Sequence, residues 1–342
     1  MTITKRRIYR IACASLAAIA LASCAKKPKL TVQFPDKFDG QNVELLNYLD
    51  STTVASSKIA GNSVVFEIEQ GETPQIMQVV VDGKVQGYYI SEGGDALITD
   101  STTTATGTPL NDRFTRMIAS LDSIEETDDM ELYVDYAAKA YNENRGTAIG
   151  DFFALEWIKF ADPEKVDSLL KTTDSAFRNR KRVTTYAGYA RHRGATSPGR
   201  KFIDVKGEDA SGRSASLSGY MKPGKYTLID FWASWCPYCI KEIPELKKLQ
   251  KEFPNLTIVG VAVRDLPADT REMVKKRDIS WDVLYNTQRV PYDIYGFTGI
   301  PHHILISPDG TILSRGENAA QIRAHMERII ASSDVTVSTP KH

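Results

Sequence analysis

The feature that most restricts the fold of this chain is an apolar stretch that leads directly into a cysteine pair, YTLIDFWASWCPYCIKEIPELKKLQKEF, at residues 226–253. Residues 226–233 have the nearly continuous apolar character of a strand that is buried on both faces. Pro237 suits the first position of a helix, because proline lacks the amide hydrogen that would be unpaired there. The stretch therefore predicts a buried strand, a turn at Cys236 and a helix that begins at Pro237.

Strand and helix patterns continue to alternate over residues 201–335. Apolar, β-branched segments at 256–263, 281–286, 302–307 and 311–316 read as strands, and residues 268–277 and 319–331 have helical periodicity. The order β-α-β-α-β-β-α predicts an α/β domain whose central sheet is covered by helices on both faces.

Two other regions precede this domain. Residues 30–110 contain short segments rich in β-branched and aromatic residues, separated by turn residues, which predicts a small all-β domain, either a sandwich or a barrel. Residues 111–195 change to a helical period and predict a helical linker region of three to five helices. Pro163 after Asp162 is a good helix start, and RGATSPGR at 193–200 marks the next boundary.

The N-terminus has the pattern of an export signal. Basic residues precede an apolar stretch at 11–22, which is too short to span a bilayer, so residues 1–23 are predicted to be a signal peptide. The sequence LASC ending at Cys24 resembles the bacterial lipobox, which implies cleavage before Cys24 and lipidation of it, with residues 24–29 as a tether. An ordinary signal peptide with a chance cysteine is the alternative.

The four cysteines are Cys13, Cys24, Cys236 and Cys239. The first lies in the predicted signal and the second is the predicted lipid site, which leaves the last two as free thiols. A bridge between them closes a loop too short to stabilise the fold much, and a zinc site needs about four ligands. A redox pair without metal or other cofactor is the simplest interpretation, although the adjacent His302 and His303 keep a metal site open.

The charge balance gives no reason to expect a nucleic-acid partner. The chain has 43 basic and 43 acidic residues, and its formal net charge is zero. The basic stretch RNRKR at 178–182 is interpreted as a solvated helix face.

Residues 227–246, with the later GIPHHILISPDG at 299–310 and the order of elements, resemble the thioredoxin fold, and more closely the membrane-anchored thiol-disulfide oxidoreductases of the TlpA/ResA type. The resemblance implies an α/β thioredoxin-like C-terminal domain. The β region resembles the domain of unknown function that often precedes such modules in Bacteroidetes lipoproteins.

The predicted helix start assigns the two thiols different roles. The helix dipole and unpaired amide groups at Cys236 favour a thiolate, which makes Cys236 the attacking group. Cys239 lies one turn deeper, is expected to be the more buried, and would resolve the mixed disulfide. Trp235, Pro237 and Tyr238 are predicted to contact the substrate, with core packing as the alternative for Trp235.

Asp230 and Glu242 are the acidic candidates. A carboxylate in the apolar strand is costly to bury without a partner, and the resemblance implies that Asp230 relays a proton to Cys239. A surface-facing or salt-bridged aspartate is the alternative. Glu242 matches the KE-x-P sequence that follows the cysteines in the family, and it either tunes the site or is a solvated charge.

The second half of the predicted site is GIPHH at 299–303. The resemblance implies a cis peptide bond at Pro301, with the Ile300 backbone presented to an extended substrate. His302 and His303 depart from the family, where a small polar residue is usual. A protonated imidazole near Cys236 would stabilise its thiolate, but a strand histidine that meets solvent is the simpler interpretation.

The sequence thus predicts a lipid-anchored enzyme of the bacterial cell envelope that faces the periplasm and reduces protein disulfides, with cytochrome c maturation or thiol repair as the implied setting. Its partners would be disulfide-bonded or thiol client proteins and a membrane or periplasmic electron donor. A disulfide isomerase or oxidase, a peroxiredoxin-like peroxidase and a non-enzymatic partner-binding lipoprotein remain alternatives. The motif CPYC is typical of glutaredoxins, which leaves the direction of electron flow open.

Overall fold

The computed structural model describes residues 27–69, 71–127 and 129–337. The predicted signal peptide, Cys24 and the beginning of the predicted tether lie outside these residues. Within the described ranges, no helix combines the length and the apolar character that a membrane span requires.

Seven strands form the first part of the chain, and they are arranged in two sheets. One sheet has the order β3-β2-β5-β6 and the other has the order β4-β1-β7. Alternate residues of β1 and β4, such as Leu30 and Phe66, join Val43 and Val79 of the other sheet in one buried core. The bounds are β1 Lys29–Gln33, β2 Asn42–Asn47, β3 Thr53–Lys58, β4 Ser63–Glu67, β5 Ile76–Val81, β6 Lys84–Ile90 and β7 Ala96–Ile98.

Six helices follow in the described chain, more than the three to five expected from the sequence. They are α1 Pro109–Glu125, α2 Met130–Glu143, α3 Ala148–Phe160, α4 Pro163–Thr172, α5 Ser175–Arg178 and α6 Lys181–Ala195. Phe114 and Phe152 of these helices share a buried core with Tyr48 and Ile90 of the β region. The helices are therefore packed on the β sheets and do not form a free spacer.

The basic stretch at 178–182 is not a solvated face, because two of its arginines bind the β region. Arg180 pairs with Asp50 at 3.0 Å. Arg182 donates to the carbonyl of Tyr48 at 3.0 Å and lies over the ring of Tyr48. This stretch joins α6 to the β sheets.

The last part of the chain is built on a five-stranded sheet in the order β12-β11-β10-β13-β14. A short hairpin, β8 Lys206–Glu208 and β9 Ser214–Ser216, precedes it. The strands are β10 Tyr226–Trp232, β11 Leu256–Ala262, β12 Asp282–Leu284, β13 His302–Ile306 and β14 Ile312–Arg315. The helices are α7 Pro237–Glu252, α8 Pro267–Lys276, α9 Val290–Tyr295 and α10 Ala319–Val337.

The two faces of the central strand β10 belong to different cores. Leu228 and Trp232 pack with residues of α7 and α10. Ile229 and Phe231 pack with residues of α9. Asp230 alternates with the latter pair, so it lies on the α7 face. The predicted fold class, an α/β thioredoxin-like domain after an all-β domain and a helical region, is confirmed.

Candidate active site

Cys236 and Cys239 form a disulfide at the N-terminus of α7, with their Cα atoms 5.3 Å apart. Cys236 is the N-cap residue, Pro237 follows as the first helical residue, and Sγ of Cys236 accepts a hydrogen bond from the backbone N–H of Cys239 at 3.2 Å. The expectation that Cys239 is the more buried thiol is wrong for this oxidised state, because both residues are 3% exposed. The bonded N–H is the group that favours a thiolate on Cys236 after reduction.

A buried carboxylate that sequence reasoning missed fixes the turn before the disulfide. Asp265, in the loop after β11, accepts hydrogen bonds from the backbone N–H of Ser234 at 2.7 Å and from its hydroxyl at 2.8 Å. Thr270 of α8 donates to the same carboxylate at 2.8 Å. Each bond to a charged acceptor contributes about 1.5–3 kcal/mol. The only sequence signal for this role is that Asp265 follows the buried strand β11. Because β11 is parallel to β10, its end lies beside the turn after β10.

Exposed side chains lie next to the two cysteines in the sequence. Trp235 is 52% exposed and Tyr238 is 73% exposed, and Pro237 between them is also exposed. The indole N–H of Trp235 donates to the carbonyl of Arg264 at 3.0 Å, which fixes the ring at the surface. Core packing is therefore excluded for Trp235. Leu266, also exposed, extends the apolar surface.

The loop before β13 lies against the disulfide from the other side. The Ile300–Pro301 peptide bond is cis, as the resemblance implies. Sγ of Cys236 lies 3.7 Å from the carbonyl oxygen of Ile300. The structure therefore brings together Cys236, Cys239, Ile300 and Pro301, and their contacts with a substrate stay predictions.

Asp230 is buried and faces His303, which is its register partner on the neighbouring strand. Nε2 of His303 lies 3.4 Å from Oδ1 of Asp230, and the two side chains are 3% and 6% exposed. A surface position is therefore excluded for both residues, and the interpretation of His303 as a solvent-facing residue is wrong. The relay from Asp230 to Cys239 stays a prediction.

The surroundings of His303 change its protonation. Burial alone lowers the pKa of this imidazole, but hydrogen bonding to Asp230 and the charges of Asp230 and Glu242 outweigh burial and raise the pKa above its ordinary value. Nδ1 lies 2.9 Å from the carbonyl oxygen of Glu317. Since a carbonyl oxygen only accepts, Nδ1 carries a hydrogen.

Glu242 lies between this pair and the surface. Its Oε1 accepts the backbone N–H of Ala319, the first residue of α10, at 2.9 Å, and its Oε2 lies 4.0 Å from Nε2 of His303. The side chain is 17% exposed. The interpretation of Glu242 as a simple solvated charge is therefore wrong, because its carboxylate caps one helix and neighbours a buried histidine.

His302 points to the opposite face of the sheet. Its ring stacks on Phe297 with centroids 4.9 Å apart, and its Nε2 lies 3.4 Å from Nη2 of Arg315. Burial, followed by the positive charge of Arg315, lowers the pKa of His302 well below its ordinary value. This lowered pKa favours the neutral imidazole near pH 7 and argues against a charged His302 that tunes Cys236.

Metal ligation finds little support at this site. Across the part of the chain that the structure describes, no three histidine, cysteine, aspartate or glutamate residues are grouped so that they could hold a metal ion.

Comparison with known proteins agrees with this geometry. Residues 198–315 match the AhpC/TSA family. The thiol-disulfide oxidoreductase ResA of Bacillus subtilis is 30% identical over 108 residues, which are 31% of this chain and 59% of that relative. ResA of Halalkalibacterium halodurans is 26% identical over 132 residues, 38% of this chain and 74% of the relative. The C-terminal part of the chain has a thioredoxin-like fold and is similar to ResA, and we call it the ResA-type domain for this similarity.

Two further proteins are similar to part of this chain. The soluble secreted antigen MPT53 of Mycobacterium tuberculosis is 29% identical over 97 residues, 28% of this chain and 56% of the relative. The thioredoxin domain of a thiol-disulfide oxidoreductase from Bacteroides vulgatus is 28% identical and covers 39% of this chain and 97% of that chain, with a TM-score of 0.35. The prediction of a thioredoxin-like thiol-disulfide oxidoreductase agrees with the similarity of this domain to the AhpC/TSA family and to ResA. Because the match spans less than two thirds of the Bacillus subtilis relative, the whole chain's activity is treated as a proposal.

Proposed function

We propose that this protein reduces disulfide bonds of client proteins through the dithiol of Cys236 and Cys239. The observation that carries the proposal is the disulfide at the N-terminus of α7, with Cys236 as the cap residue and Ile300 beside it. This position favours the thiolate form of Cys236 after the bond is reduced, and a thiolate is the nucleophile of thiol-disulfide exchange.

The reaction proceeds through two exchanges. The Cys236 thiolate attacks one sulfur of a client disulfide, and the other client sulfur leaves as a thiolate. Cys239 then loses its proton and attacks the Cys236 sulfur, which releases the second client sulfur and forms the Cys236–Cys239 disulfide again. Two electrons pass to the client, and an external donor must reduce the disulfide before the next cycle.

Charge near the dithiol supports reduction over oxidation. Two carboxylates, Asp230 and Glu242, lie on the α7 side of the sheet against the single imidazole of His303. These carboxylates reduce the stabilisation that the helix N-terminus gives to the Cys236 thiolate, and a dithiol whose reduced form is less stabilised is a stronger reductant.

The exposed side chains near the dithiol suit a polypeptide client. Trp235 and Tyr238, which are close to Cys236 in the sequence, and Leu266, which follows Asp265, offer exposed apolar area. Aromatic side chains of this kind provide much contact area at small entropy cost. A polypeptide segment that carries its disulfide on the surface is the substrate that this arrangement suits.

Export and lipid anchoring belong to the same proposal. The LASC sequence at 21–24 places the lipid on Cys24, only a few residues before β1 begins at Lys29. The active site would then face the periplasm from the membrane to which Cys24 is tethered. A relative that is named a soluble secreted antigen supports export, and a membrane or periplasmic donor would supply the electrons.

Trapping the mixed disulfide tests the proposal. Cys239→Ser should accumulate a covalent adduct with a disulfide-bonded client such as insulin, because the serine hydroxyl cannot resolve it. Cys236→Ser, the matched control, should form no adduct and should lose disulfide reduction by at least a factor of about 100, since the nucleophile is absent. Disulfide reduction that persists in Cys236→Ser would contradict the proposal.

Peroxide consumption without client reduction would favour the peroxidase alternative, although Ala233 stands three residues before Cys236 where that class has threonine or serine.

A further inference from the structure

The tautomer of His303 is fixed by its surroundings. Nδ1 donates its hydrogen to the carbonyl oxygen of Glu317 at 2.9 Å. The proton that can come and go is therefore on Nε2, which faces Oδ1 of Asp230 at 3.4 Å and Oε2 of Glu242 at 4.0 Å. Protonation of Nε2 therefore decides whether the imidazole of His303 is charged.

Near neutral pH, Asp230 and Nε2 of His303 hold one proton between them in this arrangement. If both were deprotonated, an ionised carboxylate and a nitrogen lone pair would face each other in a buried site, which is strongly unfavourable. The contact between Nε2 and Oδ1 of Asp230, at 3.4 Å, is longer than an ordinary charge-assisted hydrogen bond. A buried polar pair of this kind in a native site calls for a functional explanation.

The other charged groups around His303 are accounted for. The carboxylate of Glu317 is turned away, because it accepts from Ser314 at 2.7 Å and lies 3.6 Å from His325. His302 precedes it in β13 and points to the opposite face, against Arg315. Among the described residues, Asp230 from β10 and Glu242 from α7 are the two carboxylates within 4.0 Å of Nε2.

We propose that His303 is a positioning residue for the exchange reaction, which shares one proton with Asp230 and so keeps this carboxylate ionised as the proton acceptor for Cys239. This inference rests on the proposed function. When Cys239 attacks the mixed disulfide, its thiol proton passes to Asp230, the Cys239–Cys236 bond forms, and the bond from Cys236 to the client sulfur breaks. The client sulfur takes the electron pair and is protonated by water. The proton then leaves by way of Glu242, which is partly exposed.

The first test observes the pair directly and needs no activity. Oxidised protein with isotope-labelled histidines is titrated with pH, and the imidazole signals are followed by NMR. The wild type is compared with Asp230→Asn. The imidazole of His303 should titrate above the ordinary histidine value of about 6.5 in the wild type and below it in Asp230→Asn, because the counter-charge is gone. An unchanged midpoint in Asp230→Asn would overturn the shared proton.

The second test follows the rate at which the Cys236 mixed disulfide is resolved, as a function of pH. In His303→Leu, Asp230 is buried without a partner and holds its proton, so the midpoint of the rate profile should move to higher pH by about one unit or more. The matched control, His192→Leu, changes an exposed histidine of α6 and should leave the profile in place. A profile for His303→Leu that superimposes on the wild type would contradict the role.

A third variant covers the case in which leucine prevents folding. His303→Gln keeps a side-chain N–H for Asp230 but cannot carry the charge, so the profile should move in the same direction by a smaller amount. No movement would count against the proposal. The failure of the proposed function has a different signature, namely disulfide reduction that does not depend on Cys236, and it leaves the NMR result unaffected.

Discussion

His302 and His303 are adjacent in β13, yet their environments shift their pKa values in opposite directions. The alternation of the strand sends His303 toward Asp230, whose charge raises its pKa, and sends His302 toward Arg315, where burial and positive charge lower its pKa. The sequence showed two histidines in an unusual place. It could not show which face each would take or which charge would meet it, because the partners come from distant parts of the chain.

Because its pKa is lowered in the folded protein, His302 reduces the free energy of unfolding at acid pH. In unfolded chains a histidine binds a proton below about pH 6.5, whereas folded His302 resists protonation, so stability falls as pH decreases below that value, by up to about 1.4 kcal/mol per pH unit. His302→Gln, which keeps an acceptor for Arg315, should lose this component. Urea unfolding of the oxidised protein between pH 5 and 7 measures it. Equal pH slopes in the variant and the wild type would contradict the assignment.

At the residue scale, the position of Cys236 and Cys239 at the start of α7 could be predicted because it depends on local sequence. A proline at the first helical position places the cysteine before it at the helix cap, whatever surrounds it. The support from Asp265 could not be predicted, since it requires the loop after β11 to meet the turn after β10.

At the scale of elements, α6 and α9 join the helical region to the ResA-type domain. Gly296, which ends α9, has φ +66°, and a Cβ there would overlap the carbonyl oxygen of Tyr189 and come within 2.7 Å of the backbone nitrogen of Arg193. Arg193 in turn donates to the carbonyls of Gly296 at 3.2 Å and of Ala161 at 2.8 Å. The contact therefore depends on a glycine at this one position.

Gly296→Ala should weaken this junction. The left-handed backbone and the overlap with α6 together should cost about 1–3 kcal/mol, and thermal unfolding of the full chain should shift to a lower temperature. Gly219→Ala is the matched control, because the nearest atom to a Cβ there is 4.0 Å away, the hydroxyl oxygen of Ser216. A variant as stable as this control would show that the junction contributes little.

Elements whose apolar residues have a clear period are the easiest to predict from a sequence. The helices α1 to α3 and the strand β10 have patterns that match their burial. The residues of β3 are almost all exposed, so no apolar side of this strand is visible in the sequence. The basic start of α6 was interpreted as a solvated helix face, but it binds the β region.

At the scale of the whole molecule, one core connects the β sheets with the helices, and α6 extends this connection to the ResA-type domain. Glu156, buried in α3, accepts from Tyr133 at 3.0 Å and from Tyr48 of the β region. Tyr189 of α6 belongs to the core beneath β10. The predicted linker is therefore a structural bridge, which no local pattern could indicate because its partners are far apart in sequence.

The reduction potential of the Cys236–Cys239 couple tests the central claim most directly. It should be measured on the chain from Ala25 onward, where these are the remaining cysteines, by equilibration in thiol-disulfide buffers and mass-resolved alkylation of the thiols. A reductase of client disulfides predicts a potential at or below about −250 mV, near that of thioredoxin. A potential above about −180 mV, at or beyond that of protein disulfide isomerase, would contradict the account.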